Sequence, residues 1–142
     1  MISLNSIIFN GMDSTHIDVQ VQLSSGLSKP EFNIIGLADR AVKESAERIR
    51  NVLAALNLSL PPKRLTVNLS PADVEKSGSH FDLPILCGIL CALGVLPEEE
   101  IGKYIILGEV GLNGAIVKAG GVLPASVWAG ANGYGIICPA SQ

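Results

Sequence analysis

Lys76, Ser79, His80 and Asp82 crowd into one glycine-containing loop, NLSPADVEKSGSHFDLPI (68–85), just ahead of an apolar run. Serine, histidine and aspartate are the parts of a proton-relay triad, and serine with a desolvated lysine makes the simpler dyad. A triad drawn from Ser79, His80 and Asp82 fails on geometry. Neighbouring side chains diverge, whereas a working triad joins groups brought together from separate segments. Asp82 reads instead as the cap of the following helix, with Pro84 accommodated in its first turn. The dyad has one sensible pairing, Ser79 with Lys118. The sequence leaves that pair open, because both also read as ordinary surface loop residues.

Other chemistries find less material. Gly108, Gly111 and Gly114 spell G-x-x-G-x-x-G ahead of a hairpin, not the dinucleotide fingerprint that opens a helix. No G-x-x-x-x-G-K-[ST] occurs, so these residues supply no phosphate cradle of that kind. Cys87 and Cys91 stand one helical turn apart, but no second ligand pair accompanies them for zinc. With Cys138 they make three cysteines in apolar segments, which reads as reduced core thiols. His16 reads as structural or exposed.

These residues must be held by regular elements. Residues 2–9 and 15–23 read as strands joined by a turn at Asn10-Gly11. In the second, Ile17, Val19, Val21 and Leu23 alternate with Asp18, Gln20 and Gln22. FNII (32–35) is a third strand, closed by Gly36. From Asp39, a plausible N-cap, to Asn57 the period becomes helical. Val42, Ala46, Ile49, Val52, Leu53 and Leu56 share one face, opposite Arg40, Lys43, Glu44, Glu47 and Arg50, with Arg48 at the margin. After Pro61-Pro62, RLTVNL (64–69) returns to strand, and 83–96 reads as a buried helix. YIILGEV, Asn113-Gly114 and AIV predict a hairpin. A helix near 122–132 and a strand at 134–138 complete a mixed sheet packed against about three helices.

Six of the ten basic residues lie between 40 and 64: Arg40, Lys43, Arg48, Arg50, Lys63 and Arg64. The i,i+4 pairs Arg40–Glu44, Lys43–Glu47 and Glu44–Arg48 offset most of that charge, so a solvated, salt-bridged face is favoured over a nucleic-acid surface. A net charge of −3 also argues against a free-standing nucleic-acid binder.

At 142 residues the chain fits one domain, and 48% hydrophobic against 16% charged residues predicts a filled core. The terminus MISLNSIIFNGMD has no basic n-region or cleavage site, so no signal peptide is expected. The longest apolar run, 83–96, has 14 residues, too short to span a bilayer. CPASQ directly follows the last strand with no tail, so further sequence is expected beyond it.

GLADRAVKESAERIR (36–50), NLSPADVEKSGSHFDLPI (68–85) and GEVGLNGAIVKAGGVLPA (108–125) together resemble the amino-terminal domain of the magnesium-chelatase-like AAA+ ATPases, the ComM/YifB-like group. Members usually read GLPD where this chain has GLAD, so Ala38 departs at a turn. The resemblance implies an α/β (α+β) fold like domain 2 of ribosomal protein S-five, shared with the ATP-dependent Lon proteases, which can contain a left-handed β-α-β crossover. It also implies that residues 1–142 form a single accessory domain ahead of an AAA+ module. ATP and magnesium would bind in that module. Its expected partners are the module itself and neighbouring subunits of a hexamer, with DNA reached through the full-length protein, in the cytoplasm and away from membranes.

In Lon the loop reads K-D-G-P-S-A-G, with its fifth residue the nucleophile. By that resemblance the nucleophile's place here is His80, Ser79 takes the proline's place, and the base lysine's place is Leu123. The resemblance therefore implies a peptidase-like frame lacking both reactive groups. The candidate interaction surface is Asp73, Lys76, Ser79 and His80 of the loop, with Arg40, Lys43 and Arg50 of the charged helix. The competing readings are a Ser-Lys peptidase using Ser79 and Lys118 or a magnesium chelatase subunit-like protein, and a further one is direct DNA binding.

Overall fold

The computed structural model describes residues 1–10, 13–26, 29–118 and 120–140. Gly11 of the predicted first turn and the last two residues of CPASQ lie outside them. The chain runs through β1 (Ile2–Asn10), β2 (Asp13–Gly26), β3 (Glu31–Ile35), α1 (Arg40–Lys43), α2 (Ser45–Ala55) and β4 (Lys63–Ser70). A short 3-10 helix (Ser79–Phe81) leads into α3 (Asp82–Ala92), followed by α4 (Glu98–Ile101) and β5 (Tyr104–Ile106). The remainder is β6 (Glu109–Val110), β7 (Ile116–Val117), α5 (Val122–Ala131) and β8 (Gly135–Ile137).

Six strands form one sheet in the order β3-β4-β2-β1-β5-β8, and β6 pairs with β7 separately. β1 and β2 are antiparallel, whereas β1 with β5, β3 with β4 and β5 with β8 are parallel. The mixed α/β sheet expected from the alternation of periods is thus present, and the Asn113-Gly114 turn joins β6 to β7 antiparallel.

Strand alternation sends side chains to opposite faces, and both are used. Ile17, Val19, Val21, Leu65, Val67 and Leu69 face α2 and α3, whose Ile49, Val52, Leu53, Ile85 and Ile89 complete the main core. Leu4 of β1 meets Cys87 and Cys91 of α3 on that side. One residue out of phase, Ile7 of β1 packs with Ile105, Ala125 and Ala129, so α5 covers the other face near β5. α3 comes so close to β2 that a Cβ on Gly88 would sit 2.6 Å from Val21 Cγ2. Glycine at that position is what lets the helix reach the sheet.

Four features differ from the sequence reading. The first is that YIILGEV, the expected arm of the hairpin, divides into β5 in the main sheet and β6, which alone pairs with β7. The helix expected from Asp39 to Asn57 divides at Glu44, whose backbone stays helical (φ −65°, ψ −18°), and its regular part ends at Ala55. The helix expected to reach residue 96 ends at Ala92, because Gly94 (φ 77°) turns the chain out of it. Glu98–Ile101, to which the sequence reading assigns no element, forms the single turn α4. Among the described residues no helix is long and apolar enough to cross a membrane.

Candidate functional site

The loop between β4 and α3 is strapped to the turn that follows β3. Lys76 N donates to Leu37 O and Asp39 N donates to Lys76 O, both at 3.0 Å. That turn depends on Gly36 (φ 107°), where a Cβ would lie 2.2 Å from the backbone oxygen of Leu69. Asp39 caps α1 as expected, its Oδ1 accepting from Val42 N at 2.9 Å. Farther on, the loop is clasped by Gly108. Its N–H donates to His80 O and its carbonyl accepts from Leu83 N, both at 3.0 Å.

Lys76 was expected on the surface; instead it is fully buried. Pairing with the 37–39 turn pulls it inward, and its Nζ donates to the carbonyl of Pro71. Burial pushes its pKa below the ordinary lysine value, partly offset by the charge of Asp73. Among the described residues no ion pair holds it.

Asp82 is also fully buried, and it does not cap α3. Its Oδ2 accepts from Arg48 Nε at 2.6 Å and its Oδ1 from Arg48 Nη2 at 2.9 Å. Ser45 Oγ donates to Oδ1, and Val110 N donates to Oδ2 at 3.1 Å. Burial requires such a carboxylate to find charged and hydrogen-bonding partners, and these lie in α2 and β6. The hydrogen bond to Asp82 raises the Arg48 pKa above its ordinary value against the opposing effect of burial. Arg48 thus stays at the helix margin, half-buried, with its guanidinium turned inward onto Asp82.

His80 points the other way. Its Nε2 lies 2.8 Å from the carbonyl of Ile7, and its ring leans on Phe81 with centroids 4.2 Å apart. A carbonyl only accepts, so Nε2 carries the proton and Nδ1 the lone pair in the neutral ring. Burial lowers the His80 pKa, outweighing that hydrogen bond and the charge of Asp82. The imidazole faces β1 while the Asp82 carboxylate faces α2, so the triad partners diverge. No hydrogen bond joins Ser79 to Lys118 among the described residues; Ser79 is half-buried and Lys118 exposed.

With this geometry in view, residues 19–142 match the family model for subunit ChlI of Mg-chelatase. The chain belongs to that family. It is 39% identical over 115 residues to the competence protein ComM of Haemophilus influenzae, covering 81% of this chain and 22% of ComM. It is 34% identical over 127 residues to YifB of Escherichia coli K12, covering 89% of this chain and 25% of YifB. With Rv2897c of Mycobacterium tuberculosis it shares 34% over 138 residues, 96% of this chain and 27% of that protein. The chain thus spans between 22% and 27% of the length of these curated relatives.

The remaining candidate residues of this ChlI-family domain do not converge. Arg40 is 95% exposed and pairs with Glu44 at 3.4 Å, and Arg48 reaches the same carboxylate at 3.9 Å. Among the described residues no ion pair joins Lys43 to Glu47. Arg50 holds its guanidinium 5.7 Å from the Phe32 ring centroid. Asp73 is exposed. Leu123 is 76% exposed on the first turn of α5. Among the described residues no three His, Cys, Asp or Glu side chains gather to hold a metal ion.

The sequence reading missed the role of Ser45 and Arg48. Their spacing from Asp82 carries no local signal. The available clue was a cation at the edge of an apolar helix face, where burial demands a counter-charge.

Proposed function

We propose that this chain is the non-catalytic amino-terminal domain of a ComM/YifB-like AAA+ ATPase, supporting assembly or substrate handling by a motor that acts on DNA. The observation that carries this reading is the commitment of the loop's reactive groups to holding the fold. His80 is tied to Ile7, Asp82 to Arg48, and Lys76 to Pro71. A nucleophile needs an adjacent base to activate it. Among the described residues no hydrogen bond joins the Ser79 hydroxyl to His80, Lys76 or Lys118, because these bonds orient the His80 ring, the Asp82 carboxylate and the Lys76 amine toward other partners. The length of the relatives supports a further module, where ATP and magnesium would bind within a cytoplasmic hexamer. The name of ComM, a competence protein, supports work on incoming DNA.

The test compares the full-length protein with a version lacking this domain. ATP hydrolysis, hexamer assembly and ATP-driven migration of a synthetic four-way junction are measured. ATP hydrolysis is expected to persist while assembly or junction migration is lost. Unchanged assembly and migration would overturn the proposal.

A further inference from the structure

One exposed face of the domain plays no part in the loop. On α5, Leu123 is 76% exposed and Val127 is 68% exposed, one helical turn apart. With Ser14, Pro124, Trp128 and Ala131 they line an open, mostly apolar groove of about 550 Å³. The helix beneath is firmly seated. Ala125 and Ala129 are buried, and the Trp128 ring stacks on His16 and Tyr134 at 5.7 and 5.9 Å between centroids. A fixed helix showing large aliphatic side chains to water costs hydration free energy unless something covers it.

Charge points the same way. No Asp, Glu, Lys, Arg or His follows Lys118 in the sequence, so α5 and β8 are both without charge. Interface centres are depleted of charge, whereas free surface is not. β8 is the last strand of the sheet, and its Gly135, Ile136 and Ile137 carry none of the charged guards usual on an exposed edge. A polypeptide continuing past Gln142 leaves the domain from β8, which packs against α5.

We infer that the α5 face, from Leu123 through Val127 to Ala131, is the seat of the rest of the same polypeptide: the module that the relatives' length places outside this chain. This inference rests on the reading of the chain as one domain of a longer ATPase. The relatives are about four times as long as the matched segment, so enough chain exists to cover the face. Exit beside the face gives that segment a high effective concentration there, which favours it over a separate partner.

Val127→Cys and, separately, Leu123→Cys are introduced into the 142-residue chain and into the full-length protein. Alkylation by iodoacetamide is followed site by site by peptide mass spectrometry, without ATP or DNA, and each rate is divided by its rate in denaturant. The expected result is rapid labelling in the short chain and labelling slowed about tenfold or more in the full-length protein at every protein concentration, since interface centres pack like protein interiors. Equal labelling in the two would overturn the inference. Protection that appears only as protein concentration rises would assign the face to a second copy and overturn it too. Because the readout needs no ATPase or DNA activity, it can fail while the motor reading stands. The motor reading can likewise fail while α5 remains protected.

Discussion

Asp82 and Arg48 meet in a two-point contact, 2.6 Å to Nε and 2.9 Å to Nη2, across the junction of α3 and α2. The carboxylate has no solvent exposure, whereas the Arg48 side chain retains 21%. Removing one partner of such a pair strands the other. Arg48→Ala should therefore destabilise the domain by about 3 kcal/mol. The shift of the urea midpoint, at unchanged slope, measures it.

Gly88→Ala tests the approach of α3 to the sheet. The new methyl group would collide with Val21 Cγ2, a stiff β-branched side chain in a filled core. Overpacking of this kind costs about 1–3 kcal/mol, although alanine is the better helix former. A rise in thermal midpoint for this variant would contradict the packing described above.

His80 gives the domain a pH dependence whose sign is fixed. Its folded pKa lies below the ordinary 6.5, so the unfolded chain takes up the proton first as pH falls. Stability is unaffected above that ordinary value and declines below it, until the folded pKa is reached. His80→Gln keeps an N–H donor for Ile7 and removes the titration. Its unfolding free energy should lose the part of the fall below pH 6.5 that belongs to this ring, read from denaturant midpoints on either side of that pH.

Lys76 has a lowered pKa from burial, so the unfolded chain holds more protons between the folded value and the ordinary 10.5. Stability rises with pH across that window. Lys76→Met keeps most of the side-chain volume but removes the titrating amine and the donor to the Pro71 carbonyl, so it should cost about 1 kcal/mol at neutral pH and flatten this part of the pH slope. Denaturant titration at two pH values checks both the loss and the flattened slope.

The Ser-Lys alternative has its own measurement. The domain incubated with casein should release no peptides, and Ser79→Ala or Lys118→Ala should change nothing. Serine-dependent cleavage would restore the peptidase reading.

Local signals were legible in the sequence; distant ones were not. Asp39 caps α1 because an N-cap needs only its own next turn, and Asn113-Gly114 makes a hairpin for the same reason. Asp82 offers a contrast. It stands where a cap would stand, yet Ser45, Arg48 and Val110 take its oxygens from other elements. Lys76 reads as a surface lysine in a polar loop until the 37–39 turn draws it inward. Neither outcome follows from spacing along the chain, because each depends on which elements become neighbours. Cys87 was legible as a core thiol from its apolar run, and burial pushes its pKa to about 11.

The place of β1 has a consequence for biosynthesis. Among the strands of this domain it is made before the others, yet it lies between β2 and β5, pairing Asn5 with Ile105. The antiparallel flank can zip as soon as β2 emerges, but the parallel flank must wait for a strand made near the other end. Such long-range closure is slow and leaves unpaired strand edges open to wrong partners meanwhile. A ribosome stalled before Tyr104 would hold a nascent chain with β1 still half unzipped.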